Sequence, residues 1–181
     1  MTDKDLSIKL REDARRLGLC DEWYGKWKDE TDMPELIAKY KRGLDFCLKH
    51  RWPSQTFITQ HFTQEFLRDN GILVNDTRSY PVRDDNRRLI YHREYVLLGN
   101  SNITVRYSFR PHMCNIWASD NSHVKVFCKY GAFMMIHLLD NASADINTDL
   151  VSKVTVIRHS PSIKIKKEGI VTIRDEFHYL E

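Results

Sequence analysis

The sequence predicts an α+β protein, with an N-terminal four-helix domain followed by a short, single-chain β-solenoid of about 20-residue coils. Three observations carry that prediction. Four segments, NSNITV (100–105), NSHVKV (121–126), NASADI (141–146) and SPSIKI (160–165), share one pattern, and their starts lie 21, 20 and 19 residues apart. Each is a polar turn followed by an apolar-polar-apolar triplet, and each is preceded by a second apolar run: Tyr95 to Leu98, Ile116 to Ala118, Ile136 to Leu139 and Val154 to Ile157. A period near 20 with short alternating strands is the mark of stacked β-coils. Residues 1–70, by contrast, place apolar side chains at helical spacing between recognisable start and stop signals.

Taken in order, the first helix starts at a capping box, Thr2 with Asp5, because a carboxylate three residues on reaches back to the cap amide. Leu6, Leu10, Ala14 and Leu17 form its stripe, and Gly18 ends it. A short second helix from Asp21 carries Trp23 and Trp27 one turn apart. Asp32 caps a third helix whose first turn accepts Pro34, and Leu36, Ile37, Tyr40, Leu44, Cys47 and Leu48 line it. Ser54 caps a fourth helix with Phe57, Ile58, His61, Phe62 and Phe66 on one face, closed by Gly71. Four amphipathic helices with short links make a bundle domain over residues 1–71. Residues 72–94 are transitional, with a first strand at Ile72 to Val74, a polar loop RDDNRR (83–88) and a strand at Leu89 to Tyr91.

Residues 95–181 hold the solenoid and a tail. Side chains alternate along a strand, so Ile103 and Val105, Val124 and Val126, Ala144 and Ile146, and Ile163 and Ile165 are expected in two inner columns. Thr104, Lys125, Asp145 and Lys164 are expected outside. Asparagine tolerates left-handed dihedrals, so Asn100, Asn121 and Asn141 are expected at the corners. Ile170 to Ile173 begins a partial coil, and DEFHYLE leaves the pattern.

Composition bounds the function without assigning it. The 181 residues are 41% hydrophobic and 29% charged, ordinary for a globular chain. No apolar run approaches the roughly 18 residues a membrane span needs, and MTDKDLSIKLRED has no apolar core of a secretory signal. Cys20, Cys47, Cys114 and Cys128 show no metal-type spacing and read as free buried thiols in a reducing cytoplasm. The net charge of +3 is spread evenly along the chain: residues 1–70 carry 13 basic and 13 acidic side chains, residues 71–181 carry 15 and 12. Neither half has the basic excess that phosphate binding usually shows.

Residues 10–27 (LREDARRLGLCDEWYGKW), 34–47 (PELIAKYKRGLDFC) and 53–62 (PSQTFITQHF) together resemble the N-terminal part of short proteins encoded by prophages and integrated elements of gut anaerobes, which join a small helical domain to a repetitive β region. The resemblance covers about 70 residues. It implies a mobile-element setting and cytoplasmic synthesis, and carries no catalytic residue, cofactor or activity.

The side chains able to do chemistry each have a structural alternative. Asp120 and Asp140 precede corner asparagines in successive coils, and His159 takes the equivalent place in the next. Stacking would bring the carboxylates about 5 Å apart, close enough to share a proton or a cation, but Asp-Asn is also ordinary corner chemistry and no fourth ligand is evident. Cys114 with His112, and Cys128 with His137, lack the electropositive setting a catalytic thiol needs. Helices three and four, joined by HRWPS, form a candidate helix-turn-helix over 32–70. Gln55, Thr59, Gln60 and Gln64 would face bases there, and Lys39, Lys41, Arg42, Lys49 and Arg51 would face phosphates. Trp23, Trp27 and Trp52 are many large aromatics for a small domain and mark a core or a partner surface. Phe177 and Tyr179, at the open end of the coils, suit an interface. With no cofactor or metal motif, the expected function is a non-catalytic, oligomeric structural or protein-interaction module. A DNA-binding accessory factor acting through 32–70 is the second reading.

Overall fold

The protein is described by a computed structural model covering residues 2–28, 32–80, 82–83, 89–90, 92–108 and 113–177. The chain falls into two compact units, Met1–Ile58 and Thr59–Glu181, whereas the sequence reading places the boundary at residue 71.

Among the described residues six helices stand where four were expected: α1 (Asp3–Arg16), α2 (Asp21–Lys26), α3 (Met33–Arg42), α4 (Leu44–Lys49), α5 (Gln55–His61) and α6 (Gln64–Asp69). The caps explain the difference. The Thr2–Asp5 box forms, Gly18 adopts φ +96° beyond α1, and Asp32 accepts the Glu35 amide at 2.8 Å. The predicted third helix, however, breaks at Gly43, where a residue without Cβ weakens the helix. The predicted fourth breaks because Thr63 acts as a second cap, accepting the Phe66 amide at 3.2 Å. Leu6, Leu10, Ala14, Leu36, Ile37, Leu44 and Cys47 are buried in the first unit, with Trp27, whose Nε1–H donates to Ser7 Oγ at 3.0 Å.

In the second unit α6 packs on β1 (Ile72–Val74). That strand belongs to the solenoid: Leu73 pairs with Leu97 of β5 (Glu94–Leu98). β2 (Ser79–Tyr80) pairs with β6 (Asn102–Tyr107), and β3 (Val82–Arg83) with β4 (Leu89–Ile90) forms a separate antiparallel pair. The coils continue through β7 (Cys114–Ala118), β8 (His123–Cys128), β9 (Phe133–Leu138), β10 (Ser143–Thr148), β11 (Lys153–Arg158), β12 (Lys164–Glu168) and β13 (Val171–Asp175). They build two parallel sheets, here A (β1-β5-β7-β9-β11-β13) and B (β12-β10-β8-β6-β2). The result is a parallel β-solenoid of about four turns. No helix among the described residues is long and apolar enough to cross a membrane.

The two inner columns of sheet B begin as expected, with Ile103, Val124 and Ala144 in one and Val105, Val126 and Ile146 in the other, all buried. They then depart. Ile165 lies opposite Ala144, and Lys167, not Ile165, opposite Ile146, while Ile163 is buried in the corner. Four residues separate β9 from β10 but five separate β11 from β12. The corner containing Pro161 is one residue longer and the SPSIKI motif starts one residue early, so its triplet is displaced by two, and Lys166 rather than Lys164 continues the outer column from Lys125 and Asp145.

The corners also differ in which residue takes the left-handed conformation. It is Asn75, Gly99, Asp120 and Asp140 (φ 53°, 69°, 57° and 53°), the residue before the motif asparagine in the repeated coils. The asparagines instead form a side-chain ladder, with Asn121 Nδ2 donating to Asn100 Oδ1 at 3.3 Å and Asn141 Nδ2 to Asn121 Oδ1 at 3.5 Å.

Candidate interaction pocket

The three tryptophans singled out by the sequence converge within the helical unit. Trp23 comes from α2, Trp27 from its end and Trp52 from the turn before α5. With Phe46 of α4 they line a hollow of about 340 Å³. The Trp27 and Trp52 rings lie 6.4 Å apart and tilted, and Phe46 meets Trp52 edge-on at 6.0 Å. These are favourable aromatic geometries. Trp27 is 9% exposed and forms the floor, while Trp23 is 38% exposed at the opening. The volume lies in the range of small-ligand and side-chain pockets.

Lys39 and Arg42 also line this hollow, with Asp45. Lys39 Nζ stands 5.7 Å from the centre of the Trp27 ring and 3.1 Å from Glu35 Oε1, so the structure places Lys39 in the pocket lining. Lys41 is half-buried; Arg42, Lys49, Arg51 and Gln60 are exposed, and Gln55 is half-buried in the first turn of α5. The continuous recognition helix expected after Ser54 is replaced by the short α5 and α6, and the unit boundary falls within α5. Among the described residues α3 and α4, and α5 and α6, thus stand where the two helices of the candidate helix-turn-helix were expected.

Of the cysteines, Cys20 is exposed and lines the pocket, contrary to the expectation of four buried thiols. Burial pushes Cys47 well above the usual thiol range, Cys114 up to about 12 and Cys128 up to about 11. All three are therefore un-ionised thiols at neutral pH. His112 lies outside the described residues.

Asp120 and Asp140 do stack, but as corner caps. Asp120 Oδ2 accepts the Gly99 amide at 2.9 Å, and Asp140 Oδ2 accepts the Asp120 amide at 3.0 Å. His159 does not join them. Its amide donates to Leu138 O, as the Leu139 amide does to Ala118 O, which sets it one position before the aspartate column. Among the described residues no three His, Cys, Asp or Glu side chains are placed to hold a metal ion.

His159 has different partners that the sequence did not suggest. His137 stacks on Trp117 at 3.7 Å and 7°, and His137 Nδ1 lies 3.1 Å from His159 Nε2. His159 Nδ1 lies 3.1 Å from Glu176 O. A carbonyl only accepts, so His159 carries its proton on Nδ1, its Nε2 accepts, and His137 donates from Nδ1. Burial lowers His137 to about 4 and also lowers His159. Equal placement of Trp117 and His137 in neighbouring strands was the only available signal.

At the far end of the coils Phe177 is 39% exposed, with Arg158 Cζ 5.8 Å from its ring centre. Tyr179 lies outside the described residues. No protein-family model, curated protein or solved structure matches the chain.

Proposed function

We propose that the protein is a non-catalytic, self-associating interaction module whose helical unit receives an aromatic side chain from a second copy. The observation that carries this reading is the Trp23–Trp27–Trp52 hollow, an aromatic pocket open at Trp23 with Lys39 and Arg42 beside it. Such pockets receive aromatic anchors at interfaces. The occupant is the segment around Phe177, an exposed ring that follows Asp175 and Glu176 in the sequence. Asp175 already pairs with Arg158 and Lys39 with Glu35, so the complementary charges are Glu176 beside the ring and Arg42 beside the pocket. The resemblance of the helical segments adds a mobile-element setting and a cytoplasmic site, in which such a module joins parts of an assembly.

Pocket and anchor are different residues, so copies can exchange anchors reciprocally about a two-fold axis or pass them head-to-tail in a ring or filament. Size-exclusion chromatography with light scattering tests it. The wild type elutes at a multiple of 21.5 kDa. Trp23→Ala and Phe177→Ala each return the chain to monomer. Mixing the two restores a pair, because one variant keeps the anchor and the other the pocket. A monomeric wild type sinks the self-association, and an oligomer retained by Phe177→Ala sinks the occupant. Turnover of any substrate lost on Asp120→Asn or Asp140→Asn would overturn the non-catalytic reading.

A further inference from the structure

The outer face of sheet B carries an excess of positive charge. The solenoid stacks β6, β8, β10 and β12, so residues one and two coils apart in sequence become neighbours on one flat surface. Thr104, Lys125, Asp145 and Lys166 form one outer column, and Arg106, Phe127, Asn147 and Glu168 the next. Lys164 stands on the same face at the head of β12, opposite Ser143. Four cationic side chains, Arg106, Lys125, Lys164 and Lys166, thus meet two carboxylates, Asp145 and Glu168, on this face.

Both carboxylates have partners of their own. Asp145 lies 3.8 Å from His123 Nε2, and Glu168 accepts from Asn147. The cations do not draw on them: no ion pair joins any of the four to a carboxylate among the described residues. Arg106 and Lys125 lie over the Phe127 ring instead, at 4.4 and 5.5 Å. Phe127 is half-buried in this cationic surround, beside a shallow hollow of about 320 Å³ lined by Lys125, Asp145, Asn147, Lys166 and Glu168.

We infer that this face binds a single-stranded nucleic acid, with a base stacked at the Arg106–Phe127 pair and phosphates at Lys125, Lys166 and their neighbours. Flat sheets that display an aromatic ring among cations bind unpaired strands in this way, through base stacking on rings or guanidinium planes and through phosphate contacts. Lys125 and Lys166 spring from strands two rungs apart, about 10 Å at the backbone, and long flexible side chains reach successive phosphates from there. A duplex is the poorer fit, because parallel strands facing outward offer no helix or ribbon to enter a groove. The site is separate from the aromatic pocket and does not depend on it.

The test is fluorescence polarisation of a labelled 20-nucleotide oligo(dT) titrated with the full chain, at salt from 50 to 200 mM. Binding should weaken with salt along a log–log slope of about −2 to −3, since single strands give roughly −0.7 per phosphate neutralised. Lys125→Glu with Lys166→Glu should weaken it at least tenfold, and Phe127→Ala about tenfold, with thermal melts confirming that each variant is folded. Lys9→Glu with Lys26→Glu, in the helical unit, should leave it unchanged. The duplex of the same sequence should bind at least tenfold more weakly. No binding at 50 mM salt would overturn the inference, as would equal loss from the Lys9 and Lys26 pair. A Phe127→Ala variant that binds normally while heparin competes as well as oligo(dT) would show a general polyanion surface, which also overturns it.

Discussion

Asp140 holds a left-handed backbone position and uses its carboxylate to satisfy the Asp120 amide in the preceding coil. Both tasks suit asparagine, which tolerates that conformation and accepts a hydrogen bond through Oδ1. Alanine can do neither. Asp140→Asn should therefore cost under about 0.5 kcal/mol in urea unfolding, and Asp140→Ala about 1–2 kcal/mol. A large cost for asparagine would show that the negative charge itself is required. At this scale the sequence was half legible. It pointed to the Asp-Asn corner, but assigned the left-handed turn to the asparagine, because either residue tolerates φ above zero and only the register separates them. The converging tryptophans were legible as residue types; their common hollow was not, since it depends on how α2 and α4 pack.

Each β10-like strand alternates inward and outward, so one position decides whether a substitution enters the core. Val126 is buried between Val105 and Ile146, and Lys125 beside it is exposed. Val126→Asp should unfold the chain or cost more than about 4 kcal/mol, because a buried unpaired carboxylate cannot be compensated. Lys125→Gln should stay within about 0.5 kcal/mol. Circular dichroism melts of the two variants check both, and equal tolerance would contradict the register. The alternation was readable wherever the triplets were regular, which covers β6, β8 and β10. It failed at β12 because the preceding corner holds an extra residue while the SPSIKI motif comes one residue early, and corner length leaves no periodic mark in the sequence. The helices failed at the same kind of point: Gly43 and Thr63 sit inside continuous apolar stripes, which periodicity alone reads as unbroken.

Across the molecule, the His137–His159 pair couples coil stability to acidity. Both imidazoles are kept neutral by burial, with His137 lowered to about 4 in the fold against an ordinary value near 6.5. The unfolded chain therefore takes up protons first as the pH falls. The pair's contribution is fully present above about pH 6.5 and is lost as pH falls toward 4. The decline should be on the order of 2 kcal/mol. Urea unfolding at pH 7 and pH 4.5 should show it, and His137→Phe, which keeps a ring against Trp117, should flatten it. A wild type equally stable at both values would refute the coupling. The architecture itself, helices followed by parallel coils, was visible from the repeat. The concentration of charge on sheet B was not, because an even distribution along the chain becomes uneven only when coils of about 20 residues are laid over one another.

The aspartate corners give that stacking a direction, opposite to the first corner, where Asn75 Oδ1 accepts the Asn100 amide of the later coil. The Asp120 carboxylate serves Gly99, and the Asp140 carboxylate serves Asp120, so in both cases the later coil supplies the acceptor and the earlier one the amide. During synthesis from the N-terminal end, a newly completed coil would wait with an unanswered amide until its successor emerged. Loss of the terminal rung would conversely strip a partner from the rung before it, so amide protons at these corners should exchange in reverse order of chain position, fastest near Asp140 and slowest near Gly99.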